Sequence, residues 1–443
     1  MTASTGQESV IEGEPATEGA RRDRTRWILL AIVGVALVLR VAYVLGAKPN
    51  DLLEGDQLYY STQAQVLADG RGFEEPFRSG SPAADHPPLT ALVLAPVSRG
   101  HDPIMRQRLL MAVLGAGVVG AIGVLAVRVV GRRPGLIAAG LTAVYANFWI
   151  NDALLMSETI SALCITLLLL VVYWYLDGPG PGGAALVGLL TGITALARAE
   201  MLLFVPLVMA PTMLLTRFGA PRAKAARWGH LGLAIGVTVA ALAPWTIFNA
   251  SRFERPVLLS TNEGLTIYGA NCPDSYYGPN AGFWSINCAL ALPMPGDPDQ
   301  SQKSAIFRRA GLEYARDHLS RLPTVVVLRE LRGWSLWRND QMAFYNTGEG
   351  REQWVSWIGV VQLWLLAPLA VAGGVVLHRR HVRLLPLVAM PVLVVIVTAV
   401  FYGIPRFRLP AEITIVVLAA AALDQAWTRW VDRRASTATT LAA

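Results

Sequence analysis

The sequence predicts an all-α, many-pass membrane protein of about ten transmembrane helices with two structured extracytoplasmic loops. Three observations carry this. Of the 443 residues, 53% are hydrophobic and only 16% charged, less charge than a soluble chain of this size carries. The apolar residues come in blocks close to the ~20 residues that cross a ~30 Å hydrocarbon core. The cations gather in the short stretches between blocks.

In chain order the blocks are Trp27 to Gly46, Met105 to Val130, Pro134 to Ile150 and Glu158 to Leu176. A shorter pair, Gly183 to Ala197 and Met201 to Leu215, flanks Arg198-Ala199-Glu200. His230 to Phe248, Val355 to Leu377, Leu384 to Tyr402 and Ala411 to Trp427 complete the set. Backbone inside lipid must satisfy its own hydrogen bonds, so each block is expected to be helical. The short pair reads either as two spans or as one re-entrant pair. The first block is longer than a signal-peptide core and lacks a small-residue cleavage site, so it is expected to stay as an anchor. Residues 1–26 are expected to form a disordered cytoplasmic tail, and 429–443 a second cytoplasmic tail.

The net charge is +7, and its distribution explains it. Arg128, Arg132 and Arg133 follow one block; Arg217, Arg222, Lys224 and Arg227 follow another; Arg379, Arg380 and Arg383 follow a third. The tails add Arg21, Arg22, Arg24 and Arg26, then Arg429, Arg433 and Arg434. With an even number of spans these all share one side. This positive-inside pattern puts both termini in the cytoplasm, and the excess of Arg over Lys with abundant Ala and Val is consistent with a bacterial chain set among the lipids of the plasma membrane. No basic, aromatic-interleaved soluble domain remains to bind nucleic acid, and that class is set aside.

The organisation expected is a transmembrane bundle over 27–248, an extracytoplasmic loop two over 249–354 and C-terminal transmembrane helices over 355–428. Loop one, 47–104, interrupts the bundle. Connections of this length are usually functional, and these face away from ATP and nucleotide sugars. In loop one, Tyr60, Ala64 and Leu67 fall at i, i+4 and i+7, predicting a short amphipathic helix ended by Gly70. In loop two, Val327, Leu331 and Trp334 repeat the spacing, with Arg329, Glu330 and Arg332 expected to point elsewhere. Residues 271–294 are rich in Gly, Pro, Asn and Tyr and read as irregular structure. Cys272 and Cys288 lie in this outward segment, where oxidation is open to them. They are expected to be bonded to each other, two free thiols being the alternative, and Cys164 to be a packing residue inside a span.

Loop one opens with Asp51, Glu54 and Asp56. Asp56 precedes the amphipathic helix and fits an N-cap accepting the amide of Tyr59, a contact of ~1 kcal/mol. A cap would also hold that carboxylate rigidly at the membrane surface. The loop closes with Asp85-His86-Pro87-Pro88-Leu89, where paired prolines predict an extended return and His86 reads most simply as solvated. Arg40, inside the first block, costs ~2.5–3.5 kcal/mol in lipid, so it faces the bundle or snorkels. Asp56 with Glu158 or Asp152 could hold a hard divalent cation such as Mg or Mn through oxygen. The six histidines show no zinc spacing, and no metal site is assigned.

Taken together, these stretches resemble the polytopic GT-C class glycosyltransferases: family 39, protein O-mannosyltransferases and lipid A aminoarabinose transferases, in an actinobacterial form. The resemblance rests on the acidic residue after the first span, the short aromatic helix, the Gly-rich turn and His86-Pro87-Pro88-Leu89. Leu155-Met156-Ser157-Glu158 and Arg198-Ala199-Glu200 extend it, the latter with Ala199 where the class has proline. Pro244-Trp245 to Asn249, Ser260-Thr261-Asn262-Glu263-Gly264, Asn271-Cys272 to Cys288, and Pro405-Arg406-Phe407-Arg408-Leu409-Pro410 complete it. The set covers most of the chain, although no single motif is specific.

The resemblance implies an inverting hexosyl- or pentosyltransferase that uses a polyprenyl-phosphate sugar and an extracytoplasmic acceptor, whether glycan, lipid or protein. Asp56 would be the general base, and Glu158 would support the acceptor or an ion, with Asp152 its rival. His86, Arg198, Arg406 and Arg408 would hold the donor phosphate. The chemistry suits this, because phosphate leaves as a stable anion and needs cations rather than the second carboxylic acid of a glycosidase. Plainer readings stand beside each role. Arg406 and Arg408 could snorkel to head groups, Arg198 could pair with Glu200, and Glu158 could cap its helix. A transporter or flippase of lipid-linked sugars, or a non-catalytic assembly partner, would carry similar features.

Overall fold

A computed structural model describes residues 18–48, 52–215 and 223–442. Among them there is no strand, only one isolated bridge between Glu74 and Pro82. Helix α1 (Glu18–Ala47) precedes loop one, which holds α2 (Asp56–Ala68) and α3 (Leu89–Leu94). Then come α4 (Pro103–Val130), α5 (Arg132–Val144), α6 (Ala146–Trp149), α7 (Ser157–Asp177) and α8 (Pro181–Ala197). Beyond Arg198, tighter and looser turns over 199–209 lead into α9 (Ala210–Leu215), and α10 (Ala223–Ala250) follows. Loop two carries α11 (Asn262–Ala270), α12 (Pro273–Tyr276), α13 (Ile286–Ala291), α14 (Gln300–Asp317), α15 (Leu322–Gly333) and α16 (Asn339–Thr347). Helices α17 (Gln353–Arg379), α18 (Leu385–Val400) and α19 (Leu409–Ala442) end the chain.

Helices α1, α4, α7, α10 and α17 are long and apolar enough to cross a membrane, and α8, the segment 199–215 and α18 are shorter apolar helices. Val38, Val239 and Val371 stand exposed on three of them, as side chains facing lipid do. Helix α19 runs through the centre, where Ala411, Ile413 and the stretch Val416 to Ala422 are buried. It packs along α17, and α8 packs along α10. At Gly373 and Gly188 an added Cβ would strike the backbone of Leu418 and Ala234. Small residues let helices approach closely where lipid supplies no hydrophobic drive between them.

The bundle has two chemically distinct ends. At one, Arg128 pairs with Asp177 at 2.8 Å and Arg133 with Asp424 at 3.2 Å, while the Tyr173 hydroxyl donates to the Arg383 carbonyl at 2.7 Å. The opposite tips of these helices carry Glu158 at the start of α7, Arg198 after α8 and Arg406 before α19.

Several local expectations are corrected. Helix α1 begins at Glu18, so 18–26 is helical and not disordered; the second tail, for which no conformation was expected, continues α19 as far as Ala442. Ala- and Arg-rich sequence propagates a helix beyond its apolar block. Residues 1–17, Asp51, Arg217, Arg222 and Ala443 lie outside the described residues. Pro88 adopts helical geometry (φ −76°, ψ −20°) and opens α3 instead of extending, since proline's fixed φ suits a helix start. Helix α15 forms with Val327 56% exposed, and Arg329 and Arg332 point to a different face, where they are buried. Arg329 donates to the carbonyls of Ala399 (2.8 Å) and Ala270 (2.6 Å), and Arg332 to those of Ala281 (2.8 Å) and Pro279 (2.6 Å). Those carbonyls satisfy most of the guanidinium donors, Arg329 Nε excepted. Cys272 and Cys288 form a disulfide with Cα atoms 6.4 Å apart, and Cys164 is a free thiol.

Candidate active site

Asp56 is the first residue of α2, not its cap. Gly55, at φ 54°, makes the turn before it and no side chain caps the helix. The Tyr59 amide donates to the Gly55 carbonyl at 3.4 Å, which leaves the Asp56 carboxylate free for other partners. Its Oδ2 accepts from Nη1 of Arg406 at 2.8 Å, from a residue 350 positions away. Its Oδ1 lies 3.5 Å from Nε2 of His86.

His86 is far from solvated. Its ring stacks on Tyr60 with centroids 4.7 Å apart and meets the edge of Tyr59 at 5.1 Å. Its Nε2 also lies 3.3 Å from Asp85, so one imidazole nitrogen faces two carboxylates. Burial alone would raise the Asp56 carboxyl, but Arg406 and His86 outweigh it and hold the group well below the usual carboxylate range. Burial would lower the His86 imidazole, yet Asp85 and Asp56 prevail over it and over Arg406, and the value rises above 6.5. Burial raises Asp85, with Asp56 acting alongside and His86 against.

Arg406 has a second carboxylate that the sequence reading missed. Glu349 Oε1 lies 3.0 Å from the same Nη1 as an ion pair, and the Tyr402 hydroxyl accepts from Nη2 at 3.4 Å. The buried Nε has no partner. Glu349 sits in the turn between α16 and α17, and several elements pin that turn. Lys48 donates to the Gly350 carbonyl at 2.6 Å, and Gln57 to the Glu349 carbonyl at 2.9 Å. Arg351 grips Asn151 Oδ1 (3.0 Å) and pairs with Glu349. The only signal in the sequence is a charged turn, Gly348-Glu349-Gly350-Arg351, just before a span.

A second cluster lies beside the first. Arg198 donates to Glu200 at 2.6 Å and to Glu158 at 3.2 Å, with its guanidinium over the Phe407 ring. Glu158 is buried and keeps one oxygen unpartnered. Both clusters open on one cavity of about 910 Å³, lined by Asp56, His86, Glu158, Arg198 and Arg406. Leu202, Leu203, Ile396, Val397, Val400 and Phe401 form an apolar flank, and Ser260 to Glu263 with Arg255 and Arg308 form a polar one.

Two expected site residues do not reach this cavity. Asp152 is buried in a pair with Arg40 at 2.6 Å and accepts from the Thr159 hydroxyl at 2.6 Å. That pair also answers where Arg40 points. Arg408 is buried against Glu412 at 2.7 Å and donates to the Gly333 carbonyl (2.6 Å) and Ser335 Oγ (2.9 Å). The carboxylates as arranged do not fit a divalent cation. Asp56 already meets two cationic side chains, Glu158 meets Arg198, and Asp152 meets Arg40. Among the described residues no three His, Cys, Asp or Glu side chains converge as ligands.

No family model and no curated protein matches the sequence. Among solved structures, the chain is similar to the oligosaccharyltransferase of Archaeoglobus fulgidus in complex with Zn and sulfate. The TM-score is 0.54 at 15% identity, over 93% of this chain and 51% of that one. The chain has the GT-C fold. The archaeal enzyme AglB, from the same organism and in complex with an inhibitory peptide and a dolichol-phosphate, gives 0.50 at 13% identity over 94% and 52%. ArnT from Cupriavidus metallidurans bound to undecaprenyl phosphate is a looser likeness, 0.41 at 16% over 92% and 78%. The chain thus spans about half the length of the oligosaccharyltransferases it matches.

Proposed function

We propose that this protein is a membrane glycosyltransferase that moves a sugar from a polyprenyl-phosphate donor to an extracytoplasmic acceptor, with inversion. The observation that carries the reading is the meeting of Asp56 and Arg406 on the wall of the large cavity, 350 positions apart in sequence. One supplies a carboxylate that can take a proton from an acceptor hydroxyl; the other supplies a planar cation suited to phosphate. Inversion follows if the hydroxyl attacks the anomeric carbon directly. The C–O bond to phosphate breaks as the new glycosidic bond forms, the proton passes to Asp56, and lipid phosphate departs as an anion.

Arg406 and His86 hold the donor phosphate in this reading. Arg198 stands ready to assist, and Glu158 orients it. The apolar flank of Leu202, Leu203, Ile396 and Val397 has the chemistry to take the first isoprene units. Residues 255–263 and α14 face the sugar or acceptor. Asp152 and Arg408 are left as structural ion pairs. Helices α5 and α19, added to the eight apolar segments, supply ten spans. The arginine-rich end would then face the cytoplasm of a plasma membrane, with both termini there and the cavity outside.

The test is turnover of a radiolabelled polyprenyl-phosphate sugar by the purified protein in lipid, read as release of free lipid phosphate with an envelope acceptor extract. Transfer that depends on Asp56 supports the reading. Movement of intact labelled lipid across liposomes without transfer would replace it with a flippase.

A further inference from the structure

We propose that Arg406 is a shared cation which the donor phosphate takes from Asp56, so that the base is exposed only once the donor is seated, with Glu349 as the residue that keeps Arg406 in place meanwhile. This deepens, and rests on, the glycosyltransferase reading.

A general base must have a free oxygen for its proton, yet both oxygens of Asp56 face cationic donors, Arg406 at 2.8 Å and His86 at 3.5 Å. A carboxylate so held is a weak base. The same two side chains line the cavity beside Asp56, so a phosphate arriving there meets groups already engaged. Anion and carboxylate therefore compete for one guanidinium. Phosphate offers more oxygens to a planar fork than a single Asp56 oxygen does, and the buried Nε of Arg406 is unpartnered. Exchange also frees Asp56 at the moment an acceptor proton has to move.

Glu349 makes the exchange local. It shares Nη1 of Arg406 with Asp56 at 3.0 Å, and its own turn is tied to Lys48, Gln57 and Arg351. When Asp56 is released, Arg406 still has a fixed carboxylate and does not leave the cavity. Glu349 is thus a positioning residue. The remaining ionisable groups near Asp56 are Asp85 behind His86, Tyr60 beneath it, Tyr402 on Arg406, and Glu158 in the adjoining cluster on Arg198. None of them contacts both Asp56 and Arg406.

Binding of sugar-free polyprenyl phosphate to the full-length protein in nanodiscs tests this without turnover. If Asp56 competes with phosphate, Asp56→Asn binds the lipid about tenfold tighter than the unaltered protein while losing transfer, the scale of one competing charge-assisted hydrogen bond. Glu349→Gln also binds tighter, but with a lower kcat, because Arg406 is no longer held; a merely structural role would weaken binding. Asp297→Asn removes a charge from the same loop outside the cavity lining, where it pairs with Arg78, and leaves affinity unchanged. The exchange is overturned if folded Asp56→Asn binds no tighter, or if Asp297→Asn tightens binding equally, which would mark a bulk charge effect. In both cases the glycosyltransferase reading survives if Arg406→Gln abolishes lipid binding. If the unaltered, folded protein binds no polyprenyl phosphate, both fall.

Discussion

Two kinds of arginine–carboxylate pair lie within a few turns of each other in this bundle. Arg40–Asp152 and Arg408–Glu412 are sealed, with side chains 1–4% exposed. Asp56–Arg406 and Glu158–Arg198 open on the cavity, with the arginines 16% and 11% exposed and Asp56 30%. The sealed pairs fasten α1 to the turn before α7 and brace the start of α19. The open pairs share their partners, Arg406 with Glu349 and Arg198 with Glu200. Sharing is the telling difference. A buried arginine with one carboxylate, its other contacts neutral, is a fastening, whereas a cation divided between carboxylates at a cavity wall can be redistributed to a ligand.

The sharpest way to break the comparison is to neutralise one acid of each kind. Asp56→Asn is expected to lower sugar transfer by about 10²–10⁴-fold, the range of a general base, with the melting temperature nearly unchanged. Asp152→Ala should do the reverse: leaving Arg40 buried without its partner costs about 3–5 kcal/mol, read by thermal unfolding in lipid, while the surviving folded fraction transfers sugar normally. If the two variants behaved alike, the distinction between fastening and exchange would collapse. A smaller effect is expected at Arg198→Lys, which keeps the charge and loses the fork. The apparent KM for donor should rise about tenfold with little change in kcat.

The smallest effect concerns pH. Asp85 and Asp56 raise the His86 imidazole above 6.5, so what the protonated ring contributes is complete below pH 6.5 and is lost as pH climbs through the raised value. Donor affinity should therefore decline on the alkaline side. Asp85→Asn removes one of the two groups that raise the imidazole and should bring that decline to lower pH. A pH profile that stays in place would detach Asp85 from the site.

The membrane blocks were legible because hydrocarbon thickness imposes their length, and Asp56, His86, Glu158, Arg198 and Arg406 because loop position and motif order mark them. Arg408 was read with Arg406 because they are two residues apart; only the fold shows that one turn sends the second toward Glu412 and Gly333. Asp56 was given a capping role because spacing cannot reveal that Gly55 adopts a positive φ and makes the turn itself. The burial of Arg329 and Arg332 on α15 was hidden for a related reason. The partners of Arg329 and Arg332 are main-chain carbonyls, which leave no trace in a pattern of side chains. Glu349 escaped notice because its turn has no motif and gains meaning only from Lys48, Gln57 and Arg351 around it.

Helix α19 is also a ruler. Its 34 residues measure about 51 Å at 1.5 Å per residue, against a hydrocarbon core of ~30 Å. One end starts beside Arg408 and the cavity residues, and the far turns, 429–437, stand exposed. A fluorophore on those turns and a quencher in the outer solution of sealed vesicles would report which way each molecule is inserted, and so which compartment supplies the acceptor.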